Sequence, residues 1–261
     1  AAWKSIGITN RWLNDNAALC GHPVVPTITM LVEKGEATAE LANLLTRRGG
    51  TPRLVSAAAL PKPSPDILVL VAASIAKVPP SVYDHARAGT TVVIDSKPPD
   101  PSWPVAKKNE DRTFYTLGKG QVVAYHDVIG DPSEFGLDLI DMVTHRRRPA
   151  RMWNALAAIP VATQPPNRRA LILHAINYGS PVDAEVPARV LGHYTSARLL
   201  RPGHSPAPLK VAMRGLMSEV NLPRLDQVAV VEFLRSNSFM RATRREFLSA
   251  TGSIGAAAAL N

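Results

Sequence analysis

Three residues at the ends of apolar runs have side chains that together could open a carbonyl. Ser96 lies in Asp95-Ser96-Lys97 after the run 90–94, and His126 and Asp127 lie in Tyr125-His126-Asp127 after the run 120–124. A serine hydroxyl becomes a useful nucleophile when an adjacent histidine takes its proton. If the two strand ends adjoin, Ser96 is the nucleophile and His126 the base, with Asp127 beside them, and a lactone or ester carbonyl is a suitable target. The plainer alternative makes Ser96 a loop or capping hydroxyl and His126 a hydrogen-bonded histidine at the domain edge.

Asp127, Asp131, Glu134, Asp138 and Asp141 form the densest acidic stretch in a basic chain. Carboxylates are what a hard cation requires, so Asp127, Asp131 and Glu134 are the candidate ligands and calcium the candidate cofactor, which would hold the attacking water. No full EF-hand spacing is present, and Asp131-Pro132-Ser133-Glu134 reads equally well as a helix N-cap with an acidic third position. Cys20 is the one cysteine. It excludes an internal disulfide framework and a cysteine-based zinc cage, and it precedes the α/β pattern, where no base is placed beside it. His174, His193 and His204 lack a metal-like spacing.

These residues are positioned by alternating strands and helices. Residues 27–32 read as a strand, and 36–48 as a helix carrying Ala37, Leu41, Leu44 and Leu45, stopped by Gly49-Gly50. Strands are expected over 53–57, 66–71, 90–94 and 120–125, with helices over 81–88 and 133–144. Near-continuous apolar strands separated by helices imply a parallel sheet covered on both faces. In such a sheet ligands sit beyond the carboxyl ends of the strands, which draws attention to Glu33, Ala72-Ala73-Ser74, Ser96 and His126. Beyond Pro149 the period changes. Short strands over 169–177, 186–191, 196–200, 209–213 and 227–233, divided by glycines and prolines, match a small all-β sandwich or barrel.

The fold expected is therefore an α/β doubly wound, mostly parallel sheet of flavodoxin or amidotransferase type, followed by a small all-β sandwich. The divisions are an N-terminal extension over 1–23, the α/β domain over 24–148, the sandwich over 149–236 and a C-terminal tail over 237–261. That tail carries Arg244-Arg245-Glu246-Phe247-Leu248 and an alanine-rich stretch, so it resembles a twin-arginine export signal at the wrong end of a chain.

The 261 residues are 46% hydrophobic and 20% charged, with a formal net charge of +9, which is globular composition on a surface that favours anions. No run of about 18 apolar residues suggests a membrane helix. No signal pattern opens the chain, and a soluble protein of the bacterial cytoplasm is expected. The basic clusters around 146–151, 168–169 and 241–245 are short and dispersed, and aromatic residues are 5%. Nucleic acid is therefore not expected as a partner. A small-molecule substrate and a second copy of the chain are the partners weighed.

Asp66-Ile67-Leu68-Val69-Leu70, Arg87-Ala88-Gly89-Thr90-Thr91-Val92-Val93-Ile94-Asp95, Leu117-Gly118-Lys119-Gly120-Gln121-Val122-Val123 and Asn177-Tyr178-Gly179 together carry a resemblance. Over residues 24–234 the chain resembles the glutamine-amidotransferase-like domain plus β-sandwich at the C-terminal end of large bacterial glycoside-hydrolase-type proteins. The resemblance implies the fold. It argues against sugar hydrolysis by the parent mechanism, because the glycosidase barrel that precedes this region in those proteins is absent. It also implies a nucleophilic cysteine on a glycine-flanked elbow, where this chain has Asp95-Ser96-Lys97-Pro98, so amidotransferase chemistry is not expected. A looser likeness, carried by no motif, is to reduced-size, metagenome-derived, glycoside-hydrolase-like hydrolases of N-acylhomoserine lactones. Two functions follow as expectations: a small quorum-quenching lactone hydrolase, or a non-catalytic accessory or oligomerisation module that has lost its barrel.

Overall fold

The structure, a computed structural model, describes residues 2–33, 36–64, 66–127, 129–143 and 147–236. The twin-arginine-like tail and His145 and Arg146 of the basic run lie outside the described residues. The chain divides into two compact units, one of 24–151 with 159–162 and the other of 1–23, 152–158 and the residues from 163 onward.

The first unit is built on a seven-stranded sheet. Its strands are β1 (Ile28–Leu31), β2 (Pro52–Val55), β3 (Val69–Ala72), β4 (Thr91–Ile94), β5 (Val105–Lys108), β6 (Arg112–Leu117) and β7 (Gly120–Tyr125), in the order β2-β1-β3-β4-β7-β6-β5. The pairings from β2 through β7 are parallel, while β6 and β5 extend the edge antiparallel. The sheet is thus mixed and mostly parallel. The hairpin strands β5 and β6 were not anticipated by the apolar pattern.

Alternation along each strand feeds two separate cores. Ile28, Met30, Val69, Val71, Val93 and Val123 face one side, where helix α3 (Glu36–Arg47) contributes Leu41 and Leu45 and helix α5 (Pro132–Met142) contributes Phe135, Leu139 and Ile140. Leu31, Leu70, Ala72, Val92, Ile94, Val122 and Ala124 face the other, where helix α4 (Ser81–Ala88) places Val82, Tyr83 and Ala86. Burial on both faces is why these strands read as unbroken apolar runs. Helix α4 stops at Gly89, whose φ of 120° is accessible to glycine and whose N–H closes back on the helix at Ala86 O and His85 O.

The second unit carries two antiparallel sheets forming a β-sandwich, whose edge strands also take in residues 150–151 and 159–162 of the first. The five-stranded sheet has the order β13-β12-β16-β10-β9, made of β9 (Ala158–Thr163), β10 (Ala170–Asn177), β12 (Ser196–Leu200), β13 (Ala207–Leu209) and β16 (Val228–Leu234). The four-stranded sheet has the order β14-β15-β11-β8, made of β8 (Ala150–Met152), β11 (Val186–Leu191), β14 (Ala212–Arg214) and β15 (Met217–Leu222). Strand β11 alternates strictly, with Val186, Ala188 and Val190 buried. The single strand expected over 209–213 is two strands in two sheets, with Lys210 and Val211 carrying the chain across. Helices α1 (Ala2–Asp15) and α2 (Ala17–Cys20) belong to this unit, and Trp12 and Leu19 pack on Ile172, Leu200 and Val230. Among the described residues no helix is long and apolar enough to cross a membrane.

Candidate functional site

The carboxyl ends of the parallel strands hold the candidate residues. The chain leaves β1 toward β2 on one side, while β3 lies on the other, so the strand order reverses at the β1–β3 boundary. Two carboxylates pin the loop that follows β3. Ser74, with a φ of 56°, donates its backbone N–H to Asp95 Oδ2 at 2.9 Å, and Ala76 donates its N–H to Glu33 Oε2 at 3.0 Å. Asp95 and Glu33 thus act as turn acceptors from the ends of β4 and β1.

Between this loop, the start of α4 and the segment after β4 lies a cavity of about 670 Å³. Lys77, Ser81, Tyr83, Ser96, Lys97 and Trp103 are among its lining residues. Trp103 packs edge-on against Tyr83 at 5.2 Å between ring centroids and against Tyr115 at 6.3 Å. Asp100 accepts from the Ser102 N–H at 2.9 Å and the Ser102 hydroxyl at 2.6 Å. These bonds to Ser102, together with one from Trp103, hold the Asp100 carboxyl below its ordinary range. Trp103 and the loop before it lie in a stretch with no strong apolar period, and sequence reasoning missed them.

Ser96 and His126 follow neighbouring strands, since β4 pairs with β7 up to Ile94 opposite Ala124. The histidine ring is turned to other partners. Its Nδ1 lies 2.8 Å from the Glu110 carbonyl oxygen and its Nε2 lies 2.8 Å from Thr113 Oγ1. A carbonyl only accepts, so Nδ1 carries the proton, and in the neutral ring Nε2 accepts from the Thr113 hydroxyl. His126 therefore ties the β5–β6 turn to the end of β7, while Ser96 lines the cavity. Asp127 is exposed beside His126.

The acidic stretch is divided among separate duties. Asp131 caps α5, accepting from Ser133 N at 2.7 Å and Glu134 N at 3.3 Å. Asp138 accepts from Arg112 and, at 2.9 Å, from the Tyr125 hydroxyl. Burial, and then this bond to Asp138, pushes the Tyr125 phenol up. Asp141 pairs with Arg148 at 3.4 Å. Glu134 is exposed in the first turn of α5, where its charge suits the helix dipole. Among the described residues no three His, Cys, Asp or Glu side chains converge as a metal site.

Elsewhere the titratable groups serve the fold. His85 in α4 is 1% exposed, and its Nδ1 has no partner among the described residues. Burial lowers its pKa against a smaller opposing effect of its bond to the Pro61 backbone. His174 on β10 meets Thr163 Oγ1 at 3.0 Å, and burial, followed by the nearby His22, lowers its pKa as well. Cys20 is exposed at the end of α2.

Comparison with family models gives no match, and comparison with curated proteins gives none. Solved structures do match. Alpha-L-fucosidase isoenzyme 2 from Paenibacillus thiaminolyticus superposes with a TM-score of 0.59 at 10% identity, over 86% of this chain and 51% of that one. The beta-galactosidase from Bacillus circulans sp. alkalophilus gives 0.50 at 10% identity, over 82% and 42%. The rhamnosidase from Novosphingobium sp. PP1Y gives 0.51 at 17% identity, over 80% and 22%. At these identities the likeness is one of fold, and the chain spans about half or less of the length of each structure. An α/β unit with a β-sandwich is thus an arrangement this chain shares with parts of glycoside hydrolases.

Proposed function

We propose that this chain is a non-catalytic accessory or oligomerisation module of a glycoside-hydrolase-type protein. One observation carries the reading. The shared fold takes in four-fifths or more of this chain but at most about half of three glycosidases whose names give three different sugars. A part common to enzymes of different specificity is better suited to support or assembly than to choosing the sugar.

The site geometry supports the same reading. Opening the ring of an N-acylhomoserine lactone requires an activated nucleophile and a base, and both ring nitrogens of His126 are engaged by Thr113 and Glu110. Light scattering on the purified chain, with glycoside hydrolysis assayed on the same sample, tests the module. A stable dimer or trimer without hydrolysis is expected. A strict monomer that turns over a glycoside would overturn it.

A further inference from the structure

We propose that the cavity at the carboxyl ends of β3 and β4 binds an anionic saccharide, its carboxylate or phosphate held by Lys77 and Lys97 and its ring placed against Trp103. The anion half rests on the cavity alone. The saccharide half rests on the module reading above.

The charges of the lining decide the sign of the ligand. Arg87 is paired with Asp84 at 2.7 Å, which neutralises both. The Asp100 carboxylate keeps its charge, with Oδ1 held by the backbone N–H and hydroxyl of Ser102. Lys77 and Lys97 are exposed and have no hydrogen-bond or ion-pair partner among the described residues. The lining thus sets Lys77, Lys97 and Arg87 against Asp84 and Asp100, an excess of positive charge carried by two ammonium groups that have no ion-pair partner, and lysine binds phosphate or carboxylate as a point charge. Helix α4 begins at the same wall with Ser81, adding the positive end of its dipole.

The size and remaining lining decide the body of the ligand. A volume of about 670 Å³ exceeds what a bare anion fills and lies in the range of small-molecule sites. Trp103 is fixed by its edge contacts with Tyr83 and Tyr115, so a rigid amphipathic surface is available without an ordering cost. The hydroxyls of Ser81 and Ser96 line the same space and can exchange hydrogen bonds with sugar hydroxyls.

Isothermal titration of the full chain with glucuronate, glucose 6-phosphate, glucose and inorganic phosphate tests this. Both charged sugars, or one of them, should bind at least tenfold more tightly than glucose, and which of the two is tighter separates carboxylate from phosphate recognition. Each of K77A and K97A should weaken binding by up to about fivefold, the scale of an exposed charge pair. Raising salt from about 50 mM to about 200 mM should weaken it further. The double variant K77E/K97E, at exposed positions that leave folding intact, should abolish it. Binding of no anion, equal binding of glucose and the charged sugars, or affinity unmoved by K77E/K97E would overturn the proposal. Inorganic phosphate binding as well as glucose 6-phosphate would overturn its saccharide half. Those failures leave the module reading standing, whereas glycoside turnover by the chain strikes the module and leaves the anion site intact.

Discussion

Gly120→Ala should destabilise the α/β unit by about 3 kcal/mol, the upper end of ordinary overpacking. Gly120 opens β7 after the turn Gly118-Lys119 and pairs with Leu117 across the β6–β7 hairpin. A Cβ placed there would stand 2.6 Å from the Ala86 carbonyl oxygen and 2.8 Å from the Gly89 carbonyl carbon, and closer still to the Thr90 carbonyl oxygen. All three are backbone atoms, so no side chain can rotate out of the way. The end of α4 is held in place by Thr90 N–H to His85 O at 3.0 Å and by Lys119 N–H to Arg87 O at 3.1 Å. Relief must lift α4 from the sheet, where Val82 and Ala86 are fully buried. In a domain of this size a loss of about 3 kcal/mol lowers Tm by roughly 9–15 °C. The control is Gly130→Ala, where no atom lies within 4 Å of the new methyl and φ is not left-handed. There the reduced freedom of the unfolded chain should leave stability unchanged or raise it by up to about 1 kcal/mol. Thermal unfolding followed through the near-ultraviolet signal compares the two variants. A Gly120→Ala protein that melts with the wild type, or with Gly130→Ala, would refute the close approach.

Two further outcomes follow from the site. His85 is buried with its pKa lowered chiefly by burial, so the unfolded chain binds the proton more readily. Its contribution to stability is complete above the unfolded pKa of about 6.5 and is lost as pH falls below it; His85→Gln should flatten that acid-side decline in a denaturant series. Asp131→Ala removes the cap that accepts from Ser133 and Glu134 N–H, and the denaturation midpoint should report a loss of about 1 kcal/mol, with Asp131→Asn recovering most of it.

The parts of the fold visible in the sequence were those buried on both faces. Strands β1, β3 and β4 bury nearly every residue and β7 buries Val122, Val123 and Ala124, so their apolar runs stand out, and Gly89 marks the end of α4. Strand β5 was invisible because all four of its residues are exposed and two are lysines, as suits a sheet edge. Helix α1 was obscured for a related reason: Trp12 packs on the sandwich, while Trp3, Ile6, Ile8 and Leu13 remain exposed, so no clean apolar stripe forms. The site was legible as a set of strand ends and not as a set of contacts. Neighbouring parallel strands bring Ser96 and His126 to one edge of the sheet, but the partners that turn His126 away, Thr113 and Glu110, belong to the unanticipated hairpin. The acidic stretch was likewise visible as charge, and the Asp131 cap and the Asp141–Arg148 pair are local in sequence, while the Asp138 pair depends on Arg112 in the unanticipated strand β6.

The central claim, that this chain supports an enzyme rather than being one, is tested most directly by assaying ring opening of an N-acylhomoserine lactone by the purified chain beside Ser96→Ala and His126→Ala. Turnover by the wild type no greater than that of either variant or of buffer is the result predicted. Turnover by the wild type that disappears in Ser96→Ala or His126→Ala would contradict it, and would make the neighbouring ends of β4 and β7 a catalytic site.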